Sequence, residues 1–427
     1  QINFLRAENI PYTLRMSILA PFRAYRPTPD KAAEVASRPY DVLNTEEARK
    51  EAALQTHSFL HVIKPEIDFS DEQNPYAPEV YAKGKENFDS LCSEGVMVQD
   101  DTECLYVYQL IMDGHEQTGL VGCNAIDDYF NNVIKKHELT RTDKEEDRKR
   151  HVREGKMNAE PVFFSYPAIR DIDEIVEQVK SEVPTYDFLA EDGVQHTLWV
   201  ISETELITTL VDLFAQKVPS IYVADGHHRT AAGALVGKEL READNADPKG
   251  RNNYFMSVLF PDNQLNIMDY NRVVKDLNGL TAQQFLEKIA DHFDVEEVTG
   301  PHKPAVMRNF GVYVDGKWYS IMAKDGTYDN NDPILALDVT ILSRFVLEPV
   351  LNIGNLRTDK RIDFVGGIRG MDELERRVDN GEMQIAFSMY PVQMQQLIDI
   401  SDSGMIMPPK TTWFEPKLRS GLFVHQF

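Results

Sequence analysis

At 427 residues the chain is long enough for two domains, and 42% hydrophobic with 10% aromatic residues places it among ordinary globular proteins. A formal net charge of −24 repels phosphate backbones and argues against nonspecific binding to nucleic acid. No run approaches the ~20 apolar residues of a membrane helix, and the three cysteines, Cys92, Cys104 and Cys123, match no metal spacing, so a cytoplasmic protein with reduced thiols is expected.

Residues 1–15 carry no signal-peptide pattern and are expected to be a leader, with Met16 as the natural start. Residues 18–22 suggest a first strand. Arg38-Pro39-Tyr40-Asp41-Val42 suggests an extended turn, because proline pushes its predecessor out of the helical region. Asn44, with Glu46 and Glu47 after it, caps a helix. The run 58–63 reads as a strand carrying His61; with Lys64 and Glu66 just beyond, it is a candidate pocket wall. A helix over 80–95 closes at Gly95. Asp113-Gly114, between the β-rich runs 105–112 and 117–126, signals a hairpin.

If residues 137–151 form one helix, His137, Arg141, Lys144, Arg148 and His151 fall on a single stripe. Such a run can be a solvated face of weak ion pairs. A one-signed stripe in so acidic a chain can also neutralise a polyphosphate, and Arg141 and Lys144 are its first candidates. Helices over 172–183 and 204–216 flank a strand over 195–201.

The chain then reaches Ile221-Tyr-Val-Ala-Asp-Gly-His-His-Arg-Thr-Ala-Ala232, an apolar strand turning into an alanine-rich helix. Gly226 allows a sharp turn, after which the first helical amides face an anion. Arg229 adds a planar fork suited to phosphate, and His227 and His228 add donors that titrate near neutrality. The alternative is an ordinary turn in which Asp225 caps the helix.

Past this corner, 241–253 reads as a loop, and 254–260 with 265–270 as a hairpin about Asp262-Asn263. Asn271-Arg272 follows as further pocket lining. From residue 280 the pattern changes to a helix over 280–293 and strands over 312–314 and 317–322 about Asp315-Gly316. A helix over 337–351, the Gly366-Gly367 pair and a strand over 385–389 complete this region. In the proline-stiffened tail, Trp413 and Phe414 are expected to pack down, either presenting Lys410 to a ligand or acting as a purely structural clamp.

Asp-Gly-His-His-Arg resembles the phosphate-binding turn of the ParB/sulfiredoxin-like superfamily, which includes an ADP-dependent kinase of free serine. From about Pro21 onward the chain more closely resembles domain of unknown function 1015. That likeness is carried by Ala20-Pro-Phe-Arg-Ala-Tyr-Arg-Pro27, Arg38-Pro-Tyr-Asp-Val42, Ser58-Phe-Leu-His-Val-Ile-Lys-Pro-Glu66 and Lys136-His-Glu-Leu-Thr-Arg-Thr-Asp-Lys144. The corner itself and Met407-Pro-Pro-Lys-Thr-Thr-Trp-Phe-Glu-Pro-Lys417 complete it. The fold implied is α+β: a ParB/sulfiredoxin-like sheet-and-helix domain over 16–270 and a smaller α+β C-terminal region over 271–427. His227 stands where sulfiredoxin has its cysteine, so a redox thiol is not implied.

Residues and resemblance together point to a nucleotide- or pyrophosphate-binding enzyme, a phosphotransferase to a small hydroxylated metabolite such as free serine. ADP, ATP or pyrophosphate is the expected phosphate donor and Mg²⁺ the expected cofactor. Asp225 and His227 are the catalytic candidates, with Asp225 also a metal candidate. Gly226, His228, Arg229, Thr230, Arg141, Lys144 and Lys410 are the phosphate-binding candidates. The expected partner is a small phosphate-bearing molecule, with neither nucleic acid nor membrane. Two other readings use the same corner: a non-catalytic phosphometabolite sensor, and a metal-dependent hydrolase built on Asp225, His227, His228 and His61. No Walker A loop or protein-kinase signature is present.

Overall fold

The computed structural model describes residues 16–243, 247 and 250–427. The leader and most of the middle of the 241–253 loop lie outside the described residues. The chain is α+β and divides into two compact units. One comprises the described residues through Leu265 together with Pro416–Phe427; the other is Asn266–Glu415.

The first unit is built on a nine-stranded sheet. Its strands are β1 (Leu19–Ala20), β2 (Leu105–Met112), β3 (His115–Ala125), β4 (Ile134–Lys135), β5 (Val162–Tyr166), β6 (Tyr186–Leu189), β7 (Gln195–Ile201), β8 (Ile221–Asp225) and β9 (Tyr254–Pro261). Their spatial order is β4-β8-β5-β9-β3-β2-β7-β6, with β1 pairing β3. The β2–β3 hairpin turns at Asp113 (φ 51°) and Gly114 (φ 80°), and positive φ at both positions gives the turn a twist that suits its strands. β8 is parallel to β4 and antiparallel to β5. Its residues 221–224 are buried on both faces, which is why they read as a continuous apolar run.

The helices used below are α1 (Leu60–Ile63), α2 (Pro78–Ser93), α3 (Thr142–Gly155), α4 (Arg170–Lys180), α5 (Thr204–Lys217) and α6 (His227–Glu242). Ile172 and Val176 of α4 and Phe214 of α5 pack with Val107, Phe164 and Val223 of the sheet. A second core gathers Phe59, Leu60, Ile63 and Phe88 around Met157 and Val424.

Several expectations are corrected. Residues 60–63 are helical rather than extended, because a short apolar run closed by Pro65 has no period that tells strand from buried helix. The 137–151 helix begins only at Thr142. No hairpin forms about Asp262: a tight turn at Asp262–Gln264 follows β9, and the chain then leaves the first unit.

The second unit is organised on a six-stranded sheet. Its strands are β10 (Tyr270–Val274), β11 (Phe293–Val298), β12 (Asn309–Val314), β13 (Lys317–Ala323), β14 (Ile362–Gly366) and β15 (Ile385–Ser388), in the order β11-β13-β12-β15-β10-β14. Asp315 (φ 51°) and Gly316 (φ 72°) turn β12 into β13 by the same device as the first hairpin. The helix expected over 337–351 is a short α-helix, Asp338–Leu342, running into a π-helical turn, Ser343–Leu347. No helix of the described residues is long and apolar enough to cross a membrane.

Candidate functional site

The corner forms where β8 ends and α6 begins. Gly226 sits between them at φ +90° and caps the helix without a side-chain hydrogen bond. Asp225 does not cap α6, since its Oδ1 accepts from the Gly226 amide at 3.0 Å. The first turn of α6 contains no acid. Its leading N–H groups and the positive end of its dipole therefore lack the carboxylate that usually meets them. Thr230 donates its hydroxyl to the Gly226 carbonyl at 3.0 Å, which tightens the turn from inside.

An ideal Cβ on Gly226 would lie 2.9 Å from Arg229 Nε, on a backbone that L side chains rarely adopt. Gly226→Ala is expected to destabilise the protein by about 1–3 kcal/mol. Chemical denaturation would show it, and an unchanged midpoint would contradict the geometry.

Asp225 lies among cations. Lys417 Nζ is 3.2 Å from Oδ2, and an Arg229 terminal nitrogen is 3.5 Å from the same oxygen. Burial alone would raise the Asp225 carboxyl, but Lys417 and Arg229 outweigh it and hold the group well below the usual carboxylate range. Arg229 is itself buried; it donates to the Pro161 carbonyl at 2.8 Å and has Asp41 at 3.8 Å. It thus acts mainly as a keystone beneath the turn rather than as the open fork expected from the sequence.

The two histidines differ. The His228 Nε2 accepts from the Arg141 amide at 3.0 Å, which places its proton on Nδ1. His227 is buried against His137, the rings edge to face at 4.5 Å, with Glu138 3.9 Å from Nδ1. Burial, then the neighbouring His137, holds His227 far below the ordinary imidazole value, so it is neutral. Burial likewise pushes His137 down to about 4. Among the described residues, His227 Nε2 and Arg229 Nε are buried without hydrogen-bond partners.

Of the basic stripe, Arg141 stands beside the corner at the start of α3, 64% exposed and paired with Asp143 at 2.8 Å. Lys144 is half-buried on the first turn of α3. Arg148 is instead turned inward, held by Asp147 at 2.8 Å and Glu160 at 3.3 Å. His137 reaches His227 from the segment before α3, so it joins the site without sharing the helix.

Lys410 belongs to the second unit, at φ +59°, with its ammonium 5.7 Å from the Tyr270 ring centre. Arg272 lies there too, fully buried and donating to the Lys410 carbonyl at 2.9 Å. The tail lysine at Asp225 is Lys417, seven residues further on. The tail motif contains both lysines; its Lys410 part belongs to the second unit, and its Pro416-Lys417 end belongs to the first. Asp41, in the Arg-Pro-Tyr-Asp turn, likewise carried no expected role. His61 bonds Asp68 at 2.5 Å and Lys64 pairs Glu66 at 3.0 Å, so these polar groups serve one another.

The donor set around Asp225 does not suit Mg²⁺, which takes carboxylate and phosphate oxygens that are open to it. Both Asp225 oxygens already accept from N–H donors, two of them cationic. Among the described residues no three His, Cys, Asp or Glu groups are placed to hold a metal.

Residues 19–340 match the family described as "Protein of unknown function (DUF1015)". No curated protein matches the chain. Among solved structures, a variant of free serine kinase in complex with AMP is similar at 12% identity and a TM-score of 0.35, over 69% of this chain and 86% of that one. A conserved hypothetical protein from Pyrococcus furiosus gives 14% and 0.34, over 72% and 95%. SbnI from Staphylococcus aureus, with a C-terminal truncation, gives 10% and 0.36, over 71% and 87%.

Proposed function

The chain belongs to the DUF1015 family, whose description names no reaction, and from its corner we propose a nucleotide- or pyrophosphate-dependent phosphotransferase acting on a small hydroxylated metabolite. The observation that carries this reading is the start of α6. It has no capping side chain and no first-turn acid, and two buried polar nitrogens beside it have no hydrogen-bond partner. A phosphate set there would accept from the leading amides of α6 and from His228 Nδ1. The Asp-Gly-His-His-Arg turn supports a ParB/sulfiredoxin-like character for the first unit.

Arg141 would swing from Asp143 to the phosphate at small cost, because an exposed ion pair of this kind is worth at most about 1 kcal/mol. Lys417 would share its charge between Asp225 and the anion, with Asp225 orienting both Lys417 and Arg229. Thr230 supports the turn, and Lys144 adds positive field from α3.

In the step itself, the acceptor hydroxyl oxygen bonds to the terminal phosphorus of ADP, ATP or pyrophosphate. The bond from that phosphorus to the bridging oxygen breaks, and its electron pair stays on the leaving phosphate. The hydroxyl proton passes to the neutral His227 at Nε2. Protein cations balance the charge at each point. A Mg²⁺ brought in on the donor's phosphates is compatible with this scheme, but Asp225 is not its direct ligand.

Lys417→Met should weaken ADP or pyrophosphate binding roughly 10- to 100-fold, the worth of a hydrogen bond to a charged group. Titration calorimetry would measure it, and an unchanged Kd would remove Lys417 from the site. The overall reading is tested by ³¹P NMR of the full chain with each donor and free serine, the first acceptor to try. A new phosphomonoester signal that His227→Ala abolishes is the expected result; no transfer to any hydroxylated acceptor would leave a phosphometabolite sensor.

A further inference from the structure

The segment between β4 and α3 crosses the two corner histidines and touches them at three points between residues 137 and 141. The His137 ring stands edge-on to the His227 ring, 4.5 Å away and at 90° to it. Glu138 Oε2 lies 3.9 Å from His227 Nδ1. The Arg141 amide donates to His228 Nε2 at 3.0 Å. The segment therefore fixes both the plane of the His227 ring and what its Nδ1 edge meets.

The two nitrogens of His227 have different surroundings. Nδ1 faces the Glu138 carboxylate, whereas Nε2 is buried with no hydrogen-bond partner among the described residues. A neutral imidazole carries its one proton on the nitrogen that meets an acceptor and keeps a lone pair on the other. The charged and titratable groups around this ring are Lys136, His137 and Glu138 from the crossing segment, with Asp225 and His228 from the corner. Of the two carboxylates, Asp225 is already committed, because its oxygens accept from the Gly226 amide, Lys417 and Arg229. Glu138 is the one set at Nδ1, and its side chain is 40% exposed, so it enters the corner at little desolvation cost.

We propose that Glu138 is a positioning residue for His227: it holds the ring proton on Nδ1, which leaves the Nε2 lone pair for the acceptor hydroxyl. The proposal rests on the phosphotransferase reading of the corner and adds a residue to it. In the transfer step His227 gains the hydroxyl proton at Nε2 and keeps its own at Nδ1. Glu138 stays ionised throughout, and its 3.9 Å separation from the ring shortens as positive charge appears there. His137 holds the ring plane by its edge contact and takes no proton.

The tautomer is read by NMR of the full chain labelled with ¹⁵N-histidine, with His227 identified by the signals that His227→Gln removes. Wild-type His227 should carry its proton on Nδ1 and a lone pair on Nε2. Glu138→Ala should turn this into a mixture of the two tautomers, and Glu138→Asp should restore it in part. In the ³¹P NMR transfer assay Glu138→Ala should lower kcat roughly 10- to 100-fold, part of what proton transfer by a positioned side chain contributes, with KM changed by less than about twofold. Glu138→Asp should fall between that variant and the wild type. Calorimetry should find pyrophosphate binding retained in Glu138→Ala, which also shows that the variant folds.

A wild-type His227 protonated on Nε2, or a tautomer that Glu138→Ala leaves as it was, overturns the proposal. So does a Glu138→Ala variant with wild-type kcat, or one that loses pyrophosphate binding, since Glu138 would then support the corner and not the ring. A wild type that transfers no phosphoryl group, while the tautomer follows Glu138, overturns the catalytic use of Glu138 through failure of the phosphotransferase reading. Transfer with a tautomer indifferent to Glu138 overturns this proposal alone.

Discussion

Arg229→Ala should lower the stability of the protein by about 3–5 kcal/mol, the usual cost of removing one partner from a buried ion pair. Three losses combine. Asp225 and Asp41 lose their shared guanidinium, and the Pro161 carbonyl loses its donor. Lys417 remains at Asp225, so the carboxylate keeps one cation and the fold is expected to survive. The variant should also lose the thermal shift that ADP or pyrophosphate gives the wild type, a stabilisation of roughly 2–4 kcal/mol at 100 to 1,000 times Kd. Urea denaturation with and without pyrophosphate separates the two effects. A variant as stable as wild type would contradict the keystone role. A destabilised variant with a full ligand shift would contradict a role in binding.

The second large effect lies away from the corner. Asp338 is buried in the second unit, and both its oxygens accept from the Arg308 amide, at 3.0 and 2.9 Å. Burial raises its carboxyl from 3.8 to about 7, against the lowering effect of that amide. The folded state therefore holds this proton more tightly than the unfolded state does. The stability it confers is complete below about 4 and is lost as pH rises towards about 7. The full swing is roughly 4 kcal/mol, because each tenfold gain in proton affinity is worth about 1.4 kcal/mol. Asp338→Asn should flatten this dependence, so the variant gains on the wild type between pH 4 and pH 8. Parallel urea curves across that range would sink the assignment.

How much of this was legible in the sequence depends on where each signal lived. The two Asp-Gly hairpins were readable because a left-handed pair of residues between β-rich runs has few other uses. The corner was readable for a similar reason: strand, glycine and helix are local, and five polar residues mark the join. Lys417 was not, because its place at Asp225 depends on pairing across 192 positions, and no periodicity in a proline-rich tail encodes that. The stripe misled in part. Arg148 has the right spacing, but burial beside Asp147 and Glu160 decided its role, and burial is a tertiary property. The change of Arg229 from open fork to buried keystone has the same origin.

The central claim is that the start of α6 binds phosphate, and titration calorimetry of ADP, ATP and pyrophosphate into the full chain tests it most directly. The wild type should bind at least one of them. His228→Ala and Lys417→Met should each weaken that binding tenfold or more, while Lys303→Ala, in the second unit, should not. Failure of all three compounds to bind would contradict the account, as would binding that neither corner substitution changes.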